Sequence, residues 1–98
     1  AQFHFTEDAA HIHNWVRGMN PWPVAWFEHE GKRIKVQESR LAENPQNAAP
    51  GTVLALKPLT ISAANGAVAL LTVTPEGGKP MAGTAWAAGR RLKAGDRL

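Results

Sequence analysis

Residues 20–36, NPWPVAWFEHEGKRIKV, decide how the rest of the chain is read. Asn20-Pro21-Trp22-Pro23 stops any helix that reaches it, because each proline lacks a backbone donor and restricts the residue before it. Beyond the prolines, residues 25–29 read as a strand, Glu30-Gly31 as a turn, and residues 32–36 as the returning strand of a hairpin. A strand repeats every two residues, so Ile34 and Val36 face the core and Arg33 and Lys35 face out. Trp26 and Phe27 are neighbours on one strand, so one of them points inward and the other outward. Aromatic rings beside so much positive charge fit either a stacking platform for nucleic-acid bases or the core and turn of a small β-barrel.

Upstream of the prolines, Thr6-Glu7-Asp8 has the chemistry of a helix start. The threonine can cap free N–H groups, and two acids favour the positive end of the helix dipole. Ala9, Ile12, Trp15 and Val16 recur at helical spacing and Gly18 is a C-terminal stop, giving a helix over about 6–18 with Trp15 on its apolar face. Trp22, between its prolines, packs the helix exit against the sheet. Downstream, residues 39–50 (SRLAENPQNAAP) read as a long exposed loop. Residues 52–56 and 59–63 are short strands separated by Lys57-Pro58. Asn65-Gly66 is a tight-turn signal, and residues 67–74 form the strand that returns from it. After a loop over 75–80, residues 81–89 form a short helix that Gly83 weakens and Gly89 ends. A basic segment, 90–98, closes the chain.

These elements predict a mainly β fold with two short helices. Closing the sheet is the usual protection for so many short strands. The expectation is therefore a small Greek-key β-barrel of oligonucleotide-binding (OB-like) type over about 24–74, within one domain spanning 1–98. At 98 residues there is room for a single core. With no cysteine, neither a disulfide framework nor a zinc ribbon is available. No run approaches the roughly 18 apolar residues that span a bilayer, and a cytoplasmic location is expected. The chain begins at Ala1 without an initiator methionine, as an excised or processed piece would.

Charge is more informative in its distribution than in its sum of +3. From Gly77 onward Lys79, Arg90, Arg91, Lys93 and Arg97 face Asp96 alone, whereas the rest of the chain is nearly balanced. Such a segment attracts polyanions. Arg90, Arg91 and Lys93 are the principal candidate phosphate contacts, and Lys79, Lys32, Arg33 and Lys35 the weaker ones. Contacts of that kind give salt-sensitive binding with little sequence preference. Arg17, near the helix exit, reads equally as structural. A base-stacking surface would need aromatics on adjacent strands, and the later strands have none.

Catalytic and metal constellations are missing. His11 and His13 are two residues apart and point in different directions on a helix, whereas paired zinc ligands on a helix stand four apart. The carboxylates are scattered without a pair suited to acid and base roles. There is no phosphate loop, nucleophile elbow or cysteine nucleophile. No residue of this chain is expected to be catalytic or to hold a metal.

The stretch Ile12-His13-Asn14-Trp15-Val16-Arg17-Gly18-Met19-Asn20-Pro21-Trp22-Pro23 resembles the opening of the formyltransferase C-terminal domain family, as found in methionyl-tRNA formyltransferase. The Gly-Lys-Arg-Ile-Lys hairpin, Ala49-Pro50-Gly51-Thr52-Val53-Leu54, Pro75-Glu76-Gly77-Gly78-Lys79-Pro80-Met81 and Gly89-Arg90-Arg91-Leu92-Lys93-Ala94-Gly95-Asp96-Arg97-Leu98 follow in the family's order. Val24 stands where the family has glycine, and residues 57–65 are compressed. The resemblance implies an OB-type barrel joined to an N-terminal Rossmann-like catalytic domain. That domain would use 10-formyltetrahydrofolate to formylate the methionyl group of initiator tRNA in translation initiation. This domain would contribute a basic face that holds the tRNA by its phosphates, and no cofactor of its own. Two alternatives remain at this point. The Ile-His-Asn-Trp-x-Arg-Gly helix also occurs in formyltransferases acting on non-tRNA substrates, and a generic OB-type module would bind single-stranded nucleic acid.

Overall fold

The computed structural model describes residues 1–18 and 24–98. The helix-stop reading of Asn20-Pro21-Trp22-Pro23 and the packing role of Trp22 lie outside these residues. Helix α1 (Ala9–Gly18) begins three residues later than the sequence suggested. Its cap is Asp8 rather than Thr6: the Asp8 carboxylate accepts the Ala10 N–H at 2.9 Å, the geometry of a capping residue bonded to the second helical position. Asp8 also accepts a bond from the Asn65 amide at 2.8 Å. That bond, followed by the one from Ala10, holds the carboxyl below its ordinary pKa. Ala9, Ile12 and Val16 are buried, and Trp15 lies partly buried against the core.

Strands β1 (Trp26–His29) and β2 (Lys32–Ala42) form the expected hairpin. Glu30 and Gly31 both have positive φ, 53° and 80°, which is the type I′ turn whose twist suits a two-residue hairpin. Phe27 turns inward at 2% exposure, leaving Trp26 on the outer face, and Ile34 and Val36 are buried as the period of two requires. The remaining elements are β3 (Val53–Leu56), β4 (Leu59–Ala63), β5 (Gly66–Pro75), β6 (Met81–Ala82) and helix α2 (Gly83–Gly89).

Residues 39–42, read from sequence as the start of an exposed loop, instead continue β2. They pair with β5 from Ser39↔Leu70 to Ala42↔Ala67, after register shifts around Glu38. The irregularity breaks the inside–outside alternation that a sequence reading depends on, and the pairing partner lies nearly thirty residues away.

The sheet runs β1-β2-β5-β4-β3, antiparallel throughout, with β6 added to β5. Its edges, β1 and β3, are not paired with each other. The closed barrel expected from the strand count is therefore an open sheet. Edge groups are satisfied by other means. Beside β1, the Phe3 N–H donates to the Trp26 carbonyl and the Trp26 N–H to that of Ala1. Beside β3, the Val53 N–H donates to Asp96, the Gly95 N–H to Val53 and the Leu98 N–H to Gly51. A cavity of about 320 Å³, lined by Phe3, Phe5, Phe27, Gly51 and Leu98 among others, lies between these two flanks.

The concave face is filled by Phe3, Phe27, Ile12, Leu59, Ile61, Leu70, Val68 and Val73, with α2 laid across it. Phe27 is the hub of an aromatic cluster, its ring centroid 5.7 Å from Phe3, 5.1 Å from Phe5 and 5.9 Å from Trp86. α2 approaches β5 closely because its first residue is Gly83: a Cβ there would stand 1.9 Å from the Leu70 carbonyl oxygen. The glycine that looked like a weakness in a helix is what lets the helix seat.

Candidate nucleic-acid interface

The basic residues singled out from sequence fall into two groups in space. Lys32, Arg33 and Lys35 stand exposed among the first residues of β2. Arg90, the residue that ends α2, reaches the same hairpin and forms an ion pair with Glu30 at its tip. These four side chains surround the end of β5. Lys32 and Arg90 border a cavity of about 350 Å³ floored by Ile34, Pro75, Met81 and Trp86. Arg33 and Lys35 border a second, of about 410 Å³, walled by Thr74 and the Gly77-Gly78 turn. The two cavities open on opposite faces of the sheet, as the alternation of β2 requires, and meet only at the rim formed by Pro75 and Glu76.

Arg91 and Lys93 leave α2 in another direction, along the turn that carries the chain toward the β3 edge. Lys79 is exposed in the loop before β6. The backbone N–H of Lys93 donates to the Asp96 carboxylate at 2.9 Å, which fixes that turn. Arg17 donates twice to the Asn14 side-chain oxygen, at 3.1 and 3.0 Å, the arrangement of a residue tied to its own helix.

Arg91 occupies a left-handed conformation, φ 57°. The Leu92 N–H donates to the Ala87 carbonyl and the Arg91 N–H to that of Ala88, which is the Schellman closure of a helix. Glycine is the usual occupant of this position, and a residue with a Cβ costs about 1 kcal/mol or more there. Arg91→Gly should therefore raise stability by about 0.5–1 kcal/mol, the glycine's own unfolded-state entropy offsetting part of the relief. Denaturant unfolding of the two proteins side by side measures it.

Residues that the sequence did not mark as site candidates complete the site. The Arg33 guanidinium lies 4.4 Å from the centre of the Trp26 ring, a cation–π contact that holds Arg33 on the outer face. His29 packs edge-on to Trp86 at 5.4 Å. Burial, and then the charge of Arg90, push its pKa below the ordinary imidazole value. Glu30 neutralises Arg90, which a count of charges along the sequence leaves free. The adjacency of His29 and Glu30 to the hairpin turn was legible; their meeting with Trp86 and Arg90, some sixty residues away, was not. Glu76 is occupied too, its carboxylate accepting the Arg33 backbone N–H at 2.9 Å.

Among the described residues no helix is long and apolar enough to cross a membrane. The family described as formyl transferase, C-terminal domain, matches residues 1–91. A methionyl-tRNA formyltransferase of Solibacter usitatus is 38% identical over 94 residues, covering 96% of this chain and 30% of that protein. One of Brucella canis is 40% identical over 96 residues, covering 94% of this chain and again 30% of the relative. The chain thus spans about 30% of the length of these relatives. The match takes in the hairpin, the β5–β6 loop and the end of α2 together, the segments that build the basic site. With nearly its whole length accounted for in this way, the chain belongs to the formyl transferase C-terminal domain family.

Proposed function

We propose that this chain is the tRNA-holding part of a methionyl-tRNA formyltransferase. It would grip the tRNA by its phosphates while a separate catalytic domain carries out the formyl transfer with 10-formyltetrahydrofolate. The carrying observation is the gathering of Lys32 and Arg90 on one face, and of Arg33 and Lys35 on the other, about the end of β5. Arg91, Lys93 and Lys79 extend the positive surface to either side. Such a surface favours a polyanion over any small neutral ligand, and phosphate contacts orient a nucleic acid without reading its sequence. That both relatives are methionyl-tRNA formyltransferases supports tRNA as that polyanion over the substrates of non-tRNA formyltransferases. The contribution to catalysis is positional: holding a large substrate at one end reduces the entropy lost in bringing its other end to the reacting groups.

The test is tRNA binding measured across a salt series. Each phosphate contact contributes roughly 0.7–0.9 to the slope of log affinity against log salt. Arg33→Ala/Lys35→Ala is expected to weaken binding about tenfold or more at low salt and to lower that slope by about 1.5. Arg90→Ala/Arg91→Ala should act in the same direction. An unchanged slope and affinity in both double variants would remove these residues from the interface.

A further inference from the structure

The cavity between the hairpin and α2 differs from the rest of the basic surface in having an apolar floor. Ile34 and Trp86 are buried, at 3% and 4% exposure, and Met81 and Pro75 complete the base of the hollow. Its volume of about 350 Å³ is at the small end of the roughly 300–1,000 Å³ typical of small-molecule sites. Phosphate contact alone does not account for the apolar floor, because anions are held by cations and N–H donors rather than by aliphatic or aromatic surface. An apolar floor with a few polar groups at the rim suits a flat heteroaromatic ring that carries an anionic group.

The rim fits that description. Lys32 enters from the hairpin and Arg90 from the end of α2, so an anion at the mouth would meet cations from two sides. His29 stands in the wall with its ring edge-on to Trp86, offering one donor and one acceptor nitrogen at the level of the floor. Its lowered pKa keeps the imidazole neutral near pH 7, so both hydrogen-bonding roles persist. Two carboxylates are also present. Glu76 is held by the Arg33 N–H, and Glu30 is paired with Arg90. Glu30 is mostly exposed, 66% for its side chain, and can swing away when a stronger anion reaches Arg90. Arg33 and Lys35 belong to the opposite face of the sheet and take no part in this hollow.

We propose that this cavity holds one unstacked nucleotide of a bound RNA. Its base would lie against Met81, Pro75 and Ala85, over the buried edges of Trp86 and Ile34, and its phosphate between Lys32 and Arg90 in place of the Glu30 carboxylate. The inference rests on the reading of the polyanion as RNA, which it deepens: one position of the strand is held by its base as well as its backbone.

Adenosine monophosphate is the probe. NMR of the folded chain follows the Trp86 indole N–H and the His29 ring signals while the nucleotide is added. Both should shift together and saturably. Ala85→Leu fills the cavity from an exposed position on α2 and should weaken nucleotide binding about tenfold or more by occupying the base's place. Glu30→Gln releases Arg90 and should strengthen binding about two- to fivefold, the opposite sign to Arg90→Ala. Circular dichroism and the unperturbed spectrum of each variant report that it remains folded. Unmoved Trp86 and His29 signals overturn the subsite, as does an Ala85→Leu protein that binds the nucleotide like its parent. If the salt series still registers tRNA binding through Arg33 and Lys35 in that case, the RNA reading survives and the pocket falls. If the nucleotide binds and tRNA does not, the pocket stands and the RNA reading falls.

Discussion

Gly83→Ala should destabilise the fold by about 3 kcal/mol or more, the upper range for overpacking in a well-packed core. A methyl group at this position would stand 1.9 Å from the backbone oxygen of Leu70, far inside contact distance. The obstacle is main chain in the middle of β5, so no side-chain rotation relieves it. Either β5 gives up pairing with its neighbours or α2 lifts from the sheet, carrying Trp86 and Arg90 with it. An alanine elsewhere in a helix is favourable by about 1 kcal/mol relative to glycine, so the expected sign is opposite to the propensity rule. Denaturant unfolding gives the loss of stability, and tRNA binding under folding conditions reports whether Arg90 has moved from the hairpin. A variant as stable as the parent would mean that α2 does not seat as closely as the structure has it.

Phe27→Ala should cost about 3–5 kcal/mol, as for other buried aromatics truncated in a core. In a domain of this size that corresponds to a fall in melting temperature of roughly 15–30 °C. Phe27 is nearly inaccessible and joins three structural parts through one ring. Phe3 and Phe5 bring the N-terminal segment to it, and Trp86 brings α2. The cavity it leaves cannot collapse without drawing all three parts inward. Trp26→Ala, one residue earlier, is the control. Trp26 is only half-buried on the outer face under Arg33, and its removal should cost about 1 kcal/mol. Thermal unfolding of the pair tests the inside–outside assignment of β1 directly. Equal losses would contradict it.

Much of the local structure could be read along the chain. Glu30-Gly31 between two alternating runs specifies a hairpin because few residue pairs accept two positive φ values in succession. Ala9, Ile12 and Val16 specify the buried face of α1 by spacing alone. Phe3 and Phe5, flanking exposed His4, carry the same two-residue signal in a segment too short to stand out, yet they form half of the aromatic cluster. Residues 39–42 gave no such signal, since their strand is created by β5 and its register is shifted at Glu38. The candidate site was legible as a list of cations. It was not legible as a place, because Arg90 finds Lys32 and Glu30 only when α2 crosses the sheet.

The sequence by itself determined most of the strands, the buried face of α1, the hairpin turn, the inward side of β2 and the excess of positive charge toward the end of the chain. These depend on spacing and backbone freedom within a few residues. Only the tertiary structure decided that the sheet stays open, with each edge covered by a terminal segment instead of by its opposite edge. It alone decided that Gly83 is a point of close approach, that Glu30 offsets Arg90, and that an apolar hollow lies beneath two cations. Each of these depends on distances between segments far apart in the chain, which packing fixes and local propensity does not.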